Sequence, residues 1–158
     1  MNQLIYIVTF LITTSCGVAN PELNAEIHKL EGFEKATLFE LTDAITADFN
    51  GDGFLDKAIY KKGIGTSGII IIHGNTNERV NIGFGKQFSH LTGFDWVDYW
   101  GLVEDKETIE VTLTEGGDIL ESNTVTLKNP SIALGNNDFG GGLITYRNGK
   151  YEWIHQTC

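Results

Sequence analysis

Nine residues, DFNGDGFLD from Asp48 to Asp56, set oxygen-bearing side chains at alternate places: Asp48, Asn50 and Asp52, with Asp56 completing the run. Counted from Asp48 these are positions 1, 3, 5 and 9, and Gly53 falls at position 6. Calcium is a hard cation that takes about six to eight oxygens at roughly 2.3–2.6 Å. Alternate residues of a tightly curled segment can turn their oxygens toward one centre, and a glycine at the sixth position allows the reversal that a Cβ would oppose. The main-chain carbonyl at position 7, Phe54, supplies a further oxygen. Three carboxylates this close repel one another, and a cation between them converts repulsion into attraction. The competing reading is a metal-free Asx-rich turn, because Asn-Gly and Asp-Gly are frequent turn dipeptides. Four ligand-type residues in register with the glycine favour Ca2+, held by Asp48, Asn50, Asp52, the Phe54 carbonyl and Asp56.

The loop does not complete an EF-hand. Position 12 is Ile59, where that motif requires a bidentate glutamate. The flanks, AITADF before and KAIYKK after, are strand-like. The chain is expected to pass directly from Asp56 into a strand. On these residues the segment ADFNGDGFLDKAIY resembles the DxNxDGxxD loop of FG-GAP and VCBS-type repeats. The resemblance implies a calcium-holding connection between two antiparallel strands, with Asp48, Asn50, Asp52, Phe54 and Asp56 at the matching positions. It covers only this segment, and a single copy without internal repeats does not make a full β-propeller.

The elements around the loop follow a period of two. Phe39 and Leu41, then Ile45, Ala47 and Phe49, alternate with polar neighbours, and Asp43 interrupts them as a bulge or turn would. GIIIIHGNTNERVNIGF reads as a hairpin, with Ile69 to Ile72 before a polar turn and Val80, Ile82 and Phe84 after it. ETIEVTLTEGGDILESNTVTL reads as another, turning at Gly116-Gly117, with Ile109, Val111 and Leu113 on one face. In GLITYRNGKYEWIH, Asn148-Gly149 suits a two-residue type I′ turn, in which both positions need positive φ. Eight or nine strands joined by close turns predict an all-β antiparallel sandwich or open barrel. A short helix is expected ahead of it, over 20–35, where Leu23, Ile27 and Leu30 recur at helical spacing.

Other catalytic constellations are weak. The histidines His28, His73, His90 and His155 show no zincin spacing, and SHLTG around Ser89 is not a nucleophile elbow. Asp95 and Asp98 invite a glycosidase reading, but spacing alone sets no separation between carboxyl groups. The segment FDWVDYWGL is a second candidate surface, through Trp96, Tyr99 and Trp100. Exposed rings beside carboxylates suit stacking on a sugar or anchoring a protein partner, while buried ones simply fill a β core. No enzymatic activity is expected.

The chain has 158 residues and a formal net charge of −10, enough length for one buried core and a charge that disfavours nucleic acid as partner. Residues 1–19 read as a leader: Leu4 to Ile12 form an apolar run too short to span a bilayer, and small residues follow. Two cleavages remain open. TTSC resembles a loose lipobox, which would make Cys16 a lipidated first residue, and GVA fits ordinary cleavage after Ala19. The only other cysteine is Cys158, so no disulfide framework or zinc site is implied. The lipobox-like start, together with GGGLITYRNGKYEWIHQTC, resembles small uncharacterised secreted lipoproteins of Bacteroidetes, a likeness that implies no activity. These features predict a leader over 1–19, a linker with a helix over 20–35 and one β domain over 36–158. The expected protein is a secreted or envelope-anchored, non-enzymatic module with one structural calcium, meeting a membrane only through lipid on Cys16. The alternative is a protein- or carbohydrate-binding, inhibitor or immunity-type protein that uses residues 94–102.

Overall fold

The computed structural model describes residues 36–136 and 140–156. The leader, Cys16, the helix expected over 20–35 and Cys158 lie outside them. Within them the chain is all-β: β1 (Ala36–Phe39), β2 (Ile45–Ala47), β3 (Asp56–Lys62), β4 (Ser67–Ile72), β5 (Arg79–Gly83), β6 (Tyr99–Val103), β7 (Glu107–Leu113), β8 (Ile119–Thr126), β9 (Ser131–Asn136), β10 (Gly140–Arg147) and β11 (Lys150–His155). Among the described residues no helix is long and apolar enough to cross a membrane. The strands make a five-stranded sheet in the order β1-β6-β9-β10-β11, a four-stranded sheet in the order β2-β3-β4-β5, and a separate β7-β8 hairpin. Every pairing is antiparallel, and no sheet closes into a barrel.

Side-chain alternation explains why the two larger sheets share a core. In β4, Ile69 and Ile71 are buried while Ile70 and Ile72 are half-buried. In the neighbouring strands Ile45, Ala58, Tyr60 and Ile82 lie on the same face and meet Trp100, Ile132, Leu134, Ile144 and Trp153 of the five-stranded sheet. The opposite face of that sheet is also buried. Leu38, Tyr99, Ala133, Leu143 and Ile154 form a second cluster there, joined by Leu127 and Val125 at the end of β8. A sheet covered on both faces needs apolar residues at both parities, which is why β9 and β10 read as nearly continuous apolar runs instead of alternating.

The expected turns appear with their local chemistry. Asn148 (φ 54°) and Gly149 (φ 81°) both lie in the left-handed region, and Arg147 pairs with Lys150 across them, as a type I′ hairpin requires. The interruption at Asp43 is a turn, closed by its N–H donating to the Glu40 carbonyl at 2.9 Å. It does more than split a strand, because β1 belongs to the five-stranded sheet and β2 to the other. The hairpin over Ile69–Phe84 forms in the register Ile69↔Ile82 and Ile71↔Val80. In the β7-β8 hairpin, by contrast, the expected face of Ile109, Val111 and Leu113 is not a core face: Ile109 and Leu113 are exposed. Arg147 reaches from β10 to Glu110 of β7 at 3.6 Å and so links that hairpin to the sheet.

The aromatic surface expected over residues 94–102 is corrected by the packing. Trp100 is fully buried and Tyr99 is 3% exposed. Consecutive strand residues point to opposite faces, and both faces of β6 are covered, so neither ring can reach a partner. Trp100 donates its Nε1–H to the Glu40 carbonyl at 2.9 Å, securing the sheet-switching turn. Tyr99 donates its hydroxyl to the Asn136 carbonyl at 2.7 Å. Burial, with help from the charge of Asp98, pushes its phenol up to about 12. Only Trp96 stays partly exposed, and its indole N–H bonds the Gly93 carbonyl. Replacing Trp100 with Ala should cost about 3–5 kcal/mol of stability in urea unfolding, as large-to-small core changes do. Trp96→Ala should cost clearly less. Equal losses would contradict the assignment of Trp100 to the core and Trp96 to its margin.

Candidate functional site

Residues 48–55 form the connection between β2 and β3, closed at its base by the antiparallel pair Ala47↔Asp56. The loop therefore joins two adjacent strands, and Ile59, at position 12, pairs with Ile70 inside the sheet. No helix flanks it. The tip is exposed from Gly51 to Leu55, while Asp48 and Asn50 are half-buried.

Asp48 organises the curl. Its Oδ1 accepts the N–H of Gly51 at 2.8 Å and of Asp52 at 3.0 Å, and its Oδ2 accepts the N–H of Gly53 at 2.9 Å. Such charge-assisted bonds gather amide donors around one carboxylate and bend the backbone toward it. Gly53 has φ 88°, a conformation that opposes any Cβ. Asn50 Oδ1 accepts the Asp52 N–H at 3.0 Å, and Asp52 Oδ1 accepts the Phe54 N–H at 2.9 Å. The Asn50 side-chain amide donates to Asp52 Oδ2 at 3.1 Å. The first three side chains expected to bind calcium are thus brought together on one short arc.

Asp56 behaves differently. Although fully buried, it is satisfied on both oxygens. Oδ2 accepts the N–H of Phe49 at 3.0 Å and of Asn50 at 3.3 Å, and Oδ1 accepts the N–H of Gly74 at 2.9 Å. It staples the start of the loop to its end and ties both to the turn after β4. Among the described residues no three His, Cys, Asp or Glu side chains form a group that could hold a metal ion unaided. The loop's donor set mixes carboxylates with an asparagine and a main-chain carbonyl, and the oxygens of Asp48 and Asp56 also accept amides. An all-oxygen set with spare lone pairs still suits a hard cation better than a soft one.

Residues far from the loop in sequence stand near it. His73 and Tyr151 are buried, with His73 Nε2 and the Tyr151 hydroxyl 3.0 Å apart. Tyr146 stands against Tyr151 at a centroid distance of 4.9 Å. Burial first, then the negative charge of Asp56, the Tyr146 phenol, Asp48 and Asp52, pushes the Tyr151 hydroxyl far above the ordinary tyrosine range. Tyr151 therefore registers all three loop carboxylates, which concentrate negative potential on one side of the fold. Asn129, from the turn before β9, lies so close that its Oδ1 would be 2.5 Å from a Cβ placed on Gly51. Its sequence context carries no signal that would have linked it to residue 51.

The remaining candidates fall elsewhere. Asp95 accepts the Ser67 hydroxyl at 2.7 Å and the Ser67 N–H at 3.1 Å, a clamp between β4 and the segment preceding β6. Comparison with family models, curated proteins and solved structures found no match to this chain.

The roles of Asp52 and Asp56 separate experimentally. Asp56→Ala should strand the buried amide of Phe49 and release the part-buried amides of Asn50 and Gly74, costing about 3 kcal/mol at roughly 1–3 kcal/mol for a buried unsatisfied group. That loss should appear in urea unfolding with EDTA as well as with calcium. Asp52→Ala, at an exposed position, should change stability in EDTA by less than about 1 kcal/mol.

Proposed function

We propose that this chain is a non-enzymatic extracytoplasmic β-sandwich module stabilised by one calcium ion in the loop 48–56. The observation that carries the reading is the backbone curl around Asp48, formed by bonds from the amides at 51, 52 and 53. It gathers the side chains of positions 1, 3 and 5 on a hairpin connection, with Asp56 sealing the base. Asp48, Asn50, Asp52 and the Phe54 carbonyl would supply oxygens, with Asp56 contributing a remaining lone pair or acting through the backbone it holds. Calcium would neutralise the field that the three carboxylates create beside Tyr151. Extracellular modules bind calcium at about 10⁻⁴–10⁻³ M, which fits constant occupancy outside the cell and a structural role in preference to sensing. Delivery across the membrane through the leader, with lipid on Cys16, completes the proposal.

Partner binding through Trp96, Tyr99 and Trp100 has less support, since two of the three rings are in the core. The acidic charge suits solubility.

Calcium at about ten times its dissociation constant adds roughly 1.4 kcal/mol of stability, or about 5 °C in melting temperature for a domain of this size. Thermal unfolding with calcium and with EDTA should differ by that amount. Asp52→Ala should abolish the difference. Identical melting curves for the unaltered chain in the two conditions would refute the calcium reading.

A further inference from the structure

A second cluster, away from the loop, holds polar atoms that the fold leaves unused. His155 ends β11, and both of its ring nitrogens are buried without a hydrogen-bond partner. Its cross-strand neighbour in the register is Gly142, which brings no side chain to satisfy them. Trp153, two residues earlier, also has a buried, unpartnered Nε1–H. Buried polar atoms are nearly always paired, so the unpaired ring nitrogens of His155 are free to serve as donors to a ligand. Above them stands His90, exposed, its ring 5.8 Å from the His155 ring and inclined at 77°. The same imidazole lies 6.5 Å from the Trp153 ring.

We propose that His90 and His155 form a two-imidazole site for a borderline divalent transition ion of the zinc, nickel or copper class. A roughly tetrahedral ion bonded to two imidazole nitrogens at about 2.0–2.1 Å sets the ring centroids about 5–6 Å apart. The observed 5.8 Å fits that span. Ser89 Oγ lies 3.4 Å from Nδ1 of His90, which occupies that nitrogen and leaves Nε2 to the ion, an outer contact of the kind that orients metal-bound histidines. One nitrogen of His155 would bind the ion and lose its unsatisfied state. Water would fill the remaining positions, and the exposed His90 gives access from solvent. Imidazole suits this class of ion, whereas calcium prefers oxygen. The two candidate sites are therefore chemically distinct. Burial, then the neighbouring His90, lowers the proton affinity of His155, so near neutral pH protons compete weakly for its nitrogens.

The test uses Ni2+ as probe on the full chain, with its two thiols alkylated so that they cannot bind the ion. Calorimetry in excess calcium should show one saturable site. His90→Ala, at an exposed position, should weaken it at least about tenfold by removing one arm of a two-point attachment. His155→Gln should weaken it to a similar extent if the variant folds. Asp52→Ala should leave Ni2+ binding unchanged, which keeps this proposal separate from the calcium reading. In the unaltered chain, Ni2+ should selectively broaden the imidazole NMR signals of His90 and His155. Unchanged affinity in His90→Ala, no binding at millimolar Ni2+, or broadening at His28 or His73 instead would overturn the assignment.

Discussion

The carboxylate of Asp56 is the interaction on which the local architecture depends. A fully buried anion is tolerable only if its lone pairs are met, and here amides of Phe49, Asn50 and Gly74 meet them. Those amides belong to two different stretches: the start of the loop, at Phe49 and Asn50, and the turn after β4, at Gly74. One side chain thereby fixes where the hairpin loop begins and how it sits against the next turn. With Asp56 secured, Asp48 can gather the tip amides, and the Asp-Asn alternation acquires a fixed shape. Burial first, and then the negative charge so collected, raises the proton affinity of Tyr151 on the facing sheet.

Local signals were legible where the physics is local. The Asn148-Gly149 turn follows from the cost of positive φ, the isoleucine hairpin from period-two alternation, and the loop between strands from the absence of a position-12 glutamate. Asp43 also announced its turn. What it could not announce is that the chain changes sheets there, because the acceptor of the Trp100 indole N–H, the Glu40 carbonyl, lies sixty residues away in the sequence. The described residues hold eleven strands where eight or nine are expected, in part for a related reason. β1 and β2 are short and share one apolar pattern, and only tertiary packing separates them.

Aromatic residues were the least legible. A stretch that mixes Trp, Tyr and Asp has the composition of both a binding surface and a core strand. The distinction depends on how many faces of the sheet are covered. Since both faces of β6 are packed, Tyr99 and Trp100 are buried with opposite orientations, and the polar atoms of both rings find main-chain carbonyls. The histidines show the reverse case. His90 and His155 are separated by sixty-five positions and share no motif spacing, yet a loop and a strand end bring their rings together.

Strand β11 connects these observations. Successive side chains on one face of a strand come at every second residue, so Tyr151, Trp153 and His155 stand in a row on a single face. At about 3.3 Å per residue the row is roughly 13 Å long. Its first member borders the oxygen-rich loop, its second is core, and its third faces His90. The strand thus sets the loop carboxylates and the His90–His155 pair at opposite ends, with the buried Trp153 indole between them. That separation matters chemically. His155, at the far end of the row and half-buried, has its proton affinity lowered by burial first and then by His90. One strand at the edge of a sheet covered on both faces therefore borders two chemically different side-chain clusters.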